Sequence, residues 1–280
     1  MKILPRTSKK LTYSPLRYPG GKASLYNFIS ELTEVKQLQN ITYVEPYAGG
    51  AGAALALLIT GKVKKIIIND LDDAIYSFWI SSIFEAERFI KKMIDTPVTM
   101  EEWRRQKSIY KNNTSSLFEK GFATFYLNRA NRSGVIEGGP IGGIKQEGRW
   151  KIDARFNKND LIDRIKKIAS FKNKITVKNK DGIDLLHSLK NRKKILIYLD
   201  PPYFEKGSFL YLNHYKKDDH LNLSNFLNKN SNLNWILSYD NNISIKEMYA
   251  KRHRELFTLN YSVYKKTKGS ELMIFSDSMA

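Results

Sequence analysis

The sequence predicts an α/β fold, a doubly wound and mostly parallel sheet with an inserted, mainly helical region containing a loop or hairpin. Three observations predict it. Apolar runs rich in β-branched residues end in acids at "ITYVE" (41–45), "KKIIIND" (64–70) and "KILIYLD" (194–200). Continuous rather than alternating runs of this length suit strands covered on both faces. Between the first two lies "GAGAALALLIT" (50–60), whose small residues suit a closely packed helix, so strand, glycine turn, helix and strand form one βαβ unit. Finally, the texture changes from about residue 75 to 159.

That middle region opens with two helical stretches, "SFWISSIFEAERFIKKMI" (77–94) and "MEEWRRQKSIYKNN" (100–113). From Gly121 to Asn157, aromatics, arginines and asparagines alternate with glycine turns, which reads as a loop or hairpin rather than another βα unit. The sheet-bearing part resumes near "LIDRIKKI" (161–168). Weaker strands follow at "NKITVKN" (173–179), "NWILSYD" (234–240) and "ELMIFSD" (271–277). The asparagine-rich "LNLSNFLNKNSNLN" keeps regular apolar positions at Leu221, Leu223, Phe226 and Leu227, so it reads as a helix over the sheet. No internal repeat is visible.

Composition narrows the chemistry. Lys and Arg number 47 against 28 Asp and Glu in 280 residues, a net charge of +19. The partner that suits such a balance is a polyanion, nucleic acid before an anionic membrane surface. Cysteine is absent, which removes disulfides, thiolate metal sites and thiol nucleophiles together. His187, His214, His220 and His253 have no metal-binding spacing. The N-terminal stretch does not read as a secretion signal, and no apolar run approaches the roughly 20 residues that span a bilayer. A cytoplasmic protein is the expectation.

Three motifs sit where a doubly wound sheet binds ligands, beyond the carboxyl ends of its strands. In "YVEPYAGGAG" (43–52) a strand ends at Glu45 and Gly49, Gly50 and Gly52 lead into a helix, permitting close backbone approach. Neither this stretch nor Gly20–Lys22 has the spacing of a phosphate-binding P-loop. In "IIINDLDD", Asp70 ends the next strand, where a carboxylate accepts ribose hydroxyls; helix capping by Asn69, Asp70 or Asp72 is the competing reading. In "IYLDPPYF" (197–204), Pro201 and Pro202 stop the strand ladder and stiffen the bend, leaving an acid and an aromatic at one rim.

"DPPY" (200–203) resembles the motif of amino-group methyltransferases that use S-adenosylmethionine. "LRYPGGK" (16–22), "VEPYAGGAG" (44–52) and "IINDLDD" (67–73) resemble the flanking motifs of the Dam-like, D12-class alpha-group DNA adenine-N6 methyltransferases, in the same order. "FYLNRANRSG" (125–134), "ARFNKNDLIDRI" (154–165) and "LSYDN" (237–241) extend the likeness over almost the whole chain. It departs at Pro19, where the family usually has Ala, at Tyr47 for Phe, and at Ala51 for a third glycine.

The resemblance implies a methyltransferase-type sheet domain at 1–75 and 160–280, with a DNA target-recognition insert at 76–159. It implies site-specific transfer of a methyl group to the amino group of a flipped adenine. Asp200 and the Pro201 carbonyl would accept from that amino group, Pro202 would hold the bend, and Tyr203 would stack on the base. For S-adenosylmethionine it implies Tyr18 and Lys22 at the methionine portion, and Glu45, Pro46, Tyr47, Ala48, Gly49 and Gly50 beside it. Asp70 with Leu71 would take the ribose, Asp181 with Gly182 the adenine end, and Asp200 would adjoin both sites. Asp181 also reads as a helix N-cap.

Arg129, Asn131, Arg132 and Ser133 match the family's recognition loop, and Arg or Asn can form paired hydrogen bonds to base edges. Lys145, Arg149, Lys151 and Arg155 could neutralise phosphates. The implied partner is double-stranded DNA, with a cognate restriction endonuclease acting without a stable complex, no membrane, and a monomer or weak dimer. Zero cysteines exclude the covalent route to cytosine C5. Cytosine N4, an RNA or protein amino group, and a binding module with a vestigial core stay open on chemistry alone.

Overall fold

The computed structural model describes residues 12–17, 22–204, 215–261 and 267–280. Seven strands form one sheet: β1 (Thr42–Glu45), β2 (Lys65–Asn69), β3 (Ile175–Lys178), β4 (Ile195–Leu199), β5 (Trp235–Asp240), β6 (His253–Tyr261) and β7 (Thr267–Phe275). Their order is β3-β2-β1-β4-β5-β7-β6. The first five run parallel. β7 enters antiparallel between β5 and β6. The order reverses between β1 and β4, so the crevice beyond Glu45 and Asp200 is the topological switch point at which such sheets bind ligands.

Side-chain alternation divides the core into two layers. Tyr43, Ile66, Ile68, Leu196, Tyr198, Ile236, Met273 and Phe275 point into one layer. Their neighbours Val44, Ile67, Ile195, Ile197, Leu199, Trp235, Leu237, Leu272 and Ile274 point into the other. Strands buried on both faces explain the near-continuous apolar runs. The same period of two carries Glu45, Asp200, Ser238, Asp240 and Glu271 to the first face.

That face is covered by α1 (Tyr26–Val35), α2 (Gly52–Ile59) and the helices α3 (Asp73–Phe84), α4 (Ala86–Asp95), α5 (Met100–Lys111), α6 (Leu117–Ala130) and α7 (Lys158–Ala169). The opposite face carries α8 (Gly182–Leu189), α9 (Lys217–Lys229) and α10 (Ile243–Met248). The asparagine-rich segment is therefore the expected helix. A boundary at residue 76 falls inside α3, and Phe78, Trp79, Phe89, Trp103, Phe122 and Phe125 share one core with the sheet.

Two expectations need correction. Gly121 to Ala130 is helix rather than the start of a glycine-turn region. From Phe118 every residue of α6 except Glu119 and Lys120 is buried, so the segment lacks the polar stripe by which an amphipathic helix is recognised. Strand β6, an edge strand with Leu256 exposed and Phe257 buried, was not anticipated. The turn region itself holds a hairpin-like return, with an isolated antiparallel bridge between Asn131 and Pro140. Gln146 knits it, donating to the Ile141 and Gly143 carbonyls at 2.8 and 2.6 Å and accepting from Ile152 N at 2.9 Å.

Among the described residues no helix is long and apolar enough to cross a membrane. Nor does any group of three or more His, Asp or Glu among them stand ready for a metal ion.

Candidate active site

Asp200 leaves the end of β4 where Pro201 ends the ladder, and its side chain is 20% exposed. Two donors meet one of its oxygens. Ser238 Oγ, on the neighbouring β5, lies 2.8 Å from Oδ1, and Lys22 Nζ lies 3.0 Å from it. Tyr198 Oη stands 2.8 Å from Ser238 Oγ; with the serine hydrogen directed at Asp200, the tyrosine donates to the serine. Oδ1 is thus fixed from two sides.

Lys22, 5% exposed, joins Asp200, Tyr203 and Glu271. Its ammonium donates to Tyr203 Oη at 3.1 Å and lies 3.7 Å from Glu271 Oε2. Tyr203 in turn donates to Glu271 Oε1. Glu271 sits at the β7 position paired with Asp240 and is 1% exposed. Burial pushes its carboxyl up to about 7, against the pull of Lys22. Lys22, the "DPPY" residues Asp200 and Tyr203, and Glu271 of the last strand thereby meet. Glu271 is the residue that sequence reasoning missed. Its signal was an acid at an inward position, in register with Met273 and Phe275, at the head of the apolar run Leu272–Phe275.

Glu271→Ala removes the acceptor of the Tyr203 hydroxyl and one of the carboxylates around Lys22. Chemical denaturation should show a loss of about 1.5–3 kcal/mol, the usual worth of a hydrogen bond to a charged group, whereas an unchanged midpoint would mean that Glu271 is not holding the network.

At the switch point, Glu45 is 5% exposed and caps α2 by accepting from Ala54 N at 3.0 Å. Burial raises its carboxyl to about 8. Gly49 and Ala51 both take left-handed φ, 45° and 46°, turning the chain from β1 into α2. Ala48 N donates to Asn69 O at 2.9 Å, Trp79 Nε1 to Gly49 O at 2.9 Å, and Asn69 Nδ2 to Pro46 O at 2.8 Å. The turn is therefore held from β2 and α3 before any ligand arrives.

Asp70 follows β2 and faces this turn. Its Oδ2 accepts from Gly49 N at 2.8 Å and its Oδ1 from Asp72 N at 3.0 Å. Each oxygen keeps a lone pair, which is the donor-seeking arrangement a ribose diol satisfies. Burial lifts the carboxyl to about 7, with those amide bonds opposing. Leu71 is 47% exposed beside it. Helix capping falls instead to Asp72, which accepts from Ala74 N.

Asp181 caps α8, accepting from Ile183 N at 2.8 Å. A Cβ on Gly182 would lie 2.5 Å from Tyr47 Cζ, so glycine lets the tyrosine ring lie against the start of α8. Tyr47 Oη meets Tyr215 Oη at 2.5 Å, their rings edge to face. Tyr18 lies outside the described residues.

The expected DNA-contacting residues divide sharply. Asn131 is fully buried and its amide is engaged at both ends, by Trp103 Nε1 at 2.7 Å and by the Val135 and Ile136 carbonyls at 2.9 and 2.7 Å. It braces the hairpin and has no group left for a base edge in this conformation. Arg129 is also buried. Arg132, Lys145, Arg149, Lys151 and Arg155 are exposed, with Ser133 half-buried at a left-handed φ of 55°. Arg149 packs on the exposed ring of Trp150, 5.4 Å from its centroid.

The family model for D12 class N6 adenine-specific DNA methyltransferase matches residues 18–267 of the chain. The chain belongs to this family. The matched span takes in Lys22, Asp200, Tyr203, Ser238 and the Asp70 turn, and ends at the first residue of β7, before Glu271.

Among curated proteins it is similar to Type II methyltransferase M.MjaIII of Methanocaldococcus jannaschii, 24% identical over 233 residues, 76% of this chain and 78% of that protein. Among solved structures, a protein described as an RNA methyltransferase from Pyrococcus horikoshii aligns with 98% of this chain and 90% of its own, at 10% identity and a TM-score of 0.43. The rRNA methyltransferase AviRa from Streptomyces viridochromogenes aligns with 91% and 86%, at 11% identity and a TM-score of 0.37. At those scores neither likeness bears on what this chain acts upon.

Membership makes the chain a methyltransferase of the S-adenosylmethionine-dependent kind, and the Asp70 geometry fits that cofactor's ribose. The ionised carboxylate is the form that accepts two hydroxyls. With its carboxyl at about 7, cofactor affinity should therefore climb as pH rises from about 6 to 8 and level off above. Titration calorimetry on the Asp70→Asn protein should find weaker binding with that slope removed; an unaltered slope would place the titrating group elsewhere.

Proposed function

We propose that this chain is a site-specific DNA adenine-N6 methyltransferase of the Dam-like alpha group, acting on a flipped adenine in duplex DNA. The observation that carries the reading is the pinned Asp200 at the switch point. An adenine amino group is a poor nucleophile because its lone pair is delocalised into the ring. Acceptors aimed at its two hydrogens favour a tetrahedral nitrogen and stabilise charge as it develops. Asp200 Oδ2 and the Pro201 carbonyl are those acceptors. Ser238 and Lys22 keep the carboxylate from turning away.

S-adenosylmethionine supplies the methyl group, with Asp70 and the Glu45–Gly50 turn as its holders. Asp181 and Gly182 line the adenine end through Tyr47. Tyr203 is tied at its hydroxyl by Lys22 and Glu271, so it receives the base as a fixed ring rather than a mobile one. The proton lost from nitrogen leaves to water after the methyl is in place, and Asp200 need only accept a hydrogen bond.

The 76–159 insert is the target-recognition region in this reading. Its hairpin and the loop to α7 present Ile144, Lys145, Arg149, Trp150 and Lys151 to solvent, a mixture of cations and apolar surface suited to a DNA groove. In the same proposal a cognate restriction endonuclease acts beside the enzyme without a stable complex.

The test is expression in a host free of DNA methylation, followed by modification-sensitive sequencing of its DNA. N6-methyladenine at one recurring sequence is the expected result. N4-methylcytosine would correct the base, and unmodified DNA alongside methylated host RNA would transfer the activity to RNA.

A further inference from the structure

Arg129 sits in the last turn of α6, 8% exposed, where no described residue partners it. Its Nε is fully buried without an acceptor, and among the described residues no hydrogen bond or ion pair engages the guanidinium. The charges that reach it are mostly of its own sign, Arg17, Arg164 and Arg155, with Asp160 alone opposing. Asp160 is already taken, since Arg164 holds it through Nε at 3.2 Å and a second nitrogen at 2.8 Å. Burial, reinforced by those cations, drops the Arg129 guanidinium to about 10. The C-terminal dipole of α6 offsets part of the cost, but a dehydrated cation among cations is otherwise a standing penalty.

Arg17 is locked beside it. Asn128, the residue before Arg129, accepts from Arg17 N at 2.7 Å and donates to Arg17 O at 2.9 Å and to Gly134 O at 2.8 Å. Arg17 also donates to Asn131 O at 3.1 Å. The backbone that carries Arg17 is thus fixed to α6, while Arg155 lies exposed just before α7.

We propose that Arg129, with Arg17 and Arg155, forms a preorganised anion site that holds a backbone phosphate of the DNA substrate. This rests on the DNA-methyltransferase reading and assigns Arg129 to the backbone rather than to a base edge. A neutral base edge would leave the clustered positive charge uncompensated, whereas a phosphate matches guanidinium donors in charge and geometry.

The experiment uses the full chain, its Arg129→Met and Arg129→Lys variants, and two probes. With labelled duplexes, the slope of log affinity against log salt should be shallower by about 0.9 for Arg129→Met, the loss of one phosphate contact. The loss should be equal on target and unrelated sequences, with Arg129→Lys keeping most of the slope. With inorganic pyrophosphate, the wild-type melting midpoint should rise and that of Arg129→Met should not. A slope unchanged by Arg129→Met on a duplex the enzyme still methylates, or a loss confined to one base sequence, overturns the site while the DNA reading stands. A pyrophosphate shift that depends on Arg129 in a protein that binds no duplex keeps the anion site and defeats the DNA reading.

Discussion

Asp200→Asn is expected to lower the methyl-transfer rate by about 10²–10³-fold, the usual cost of losing one preorganised partner of the developing charge. The substitution is nearly isosteric, so the Ser238 hydroxyl and Lys22 can still meet the retained oxygen. The other oxygen becomes an NH₂ group aimed at a substrate amino group, a donor facing a donor. Fold and melting midpoint should stay close to wild type. Single-turnover kinetics with saturating cofactor separates this from a binding defect. A large fall in the single-turnover rate is expected, and a rate within a few-fold of wild type would show that Asp200 does not act on the nucleophile.

The largest effect on stability should come from Gly121→Val. Gly121 lies where α6 crosses α3. A Cβ there would run into the Ser77 carbonyl and lie 2.7 Å from Ser81 Oγ. Neither atom can retreat readily: Ser81 Oγ donates to Ser77 O at 2.7 Å, and both serines are buried. Valine adds further carbons to an interface that cannot hold the first, so a loss of about 3 kcal/mol or more is expected. Gly121→Ala gives the sharper sign. On an exposed helix it would stabilise by about 1 kcal/mol, whereas here it should destabilise. Denaturant unfolding of both variants reads the result, and a stabilised alanine variant would contradict the crossing geometry.

Much of the sheet was legible because its strands are buried on both faces, and such strands announce themselves as apolar runs. Ile66 to Ile68 and Ile195 to Leu199 have nowhere to expose a polar residue. β6 escaped for the converse reason: it is an edge strand that leaves Leu256 in solvent. Helix α6 escaped because it is buried nearly all round and carries Thr124, Asn128 and Arg129 inside, so neither periodicity nor composition marks it.

The site was readable wherever a motif ends a strand, as at Glu45 and Asp200, since topology then fixes the place. Glu271 was not, because its role depends on β7 inserting antiparallel beside β5, a pairing between segments that no local pattern encodes. Asn131 shows the opposite limit. A polar residue in a recognition-like motif reads as a base contact until its burial and its hydrogen bonds to Trp103 and the hairpin carbonyls are seen.

The most direct measurement of the central claim combines purified protein, isotopically labelled S-adenosylmethionine and a mixed-sequence DNA duplex. The digested nucleosides are identified by mass, and an RNA of matched sequence is treated in parallel. Labelled N6-methyladenosine from the DNA alone, as the 2′-deoxy form, is the predicted product. Label appearing only in RNA, or in neither nucleic acid while the cofactor binds, would contradict the account.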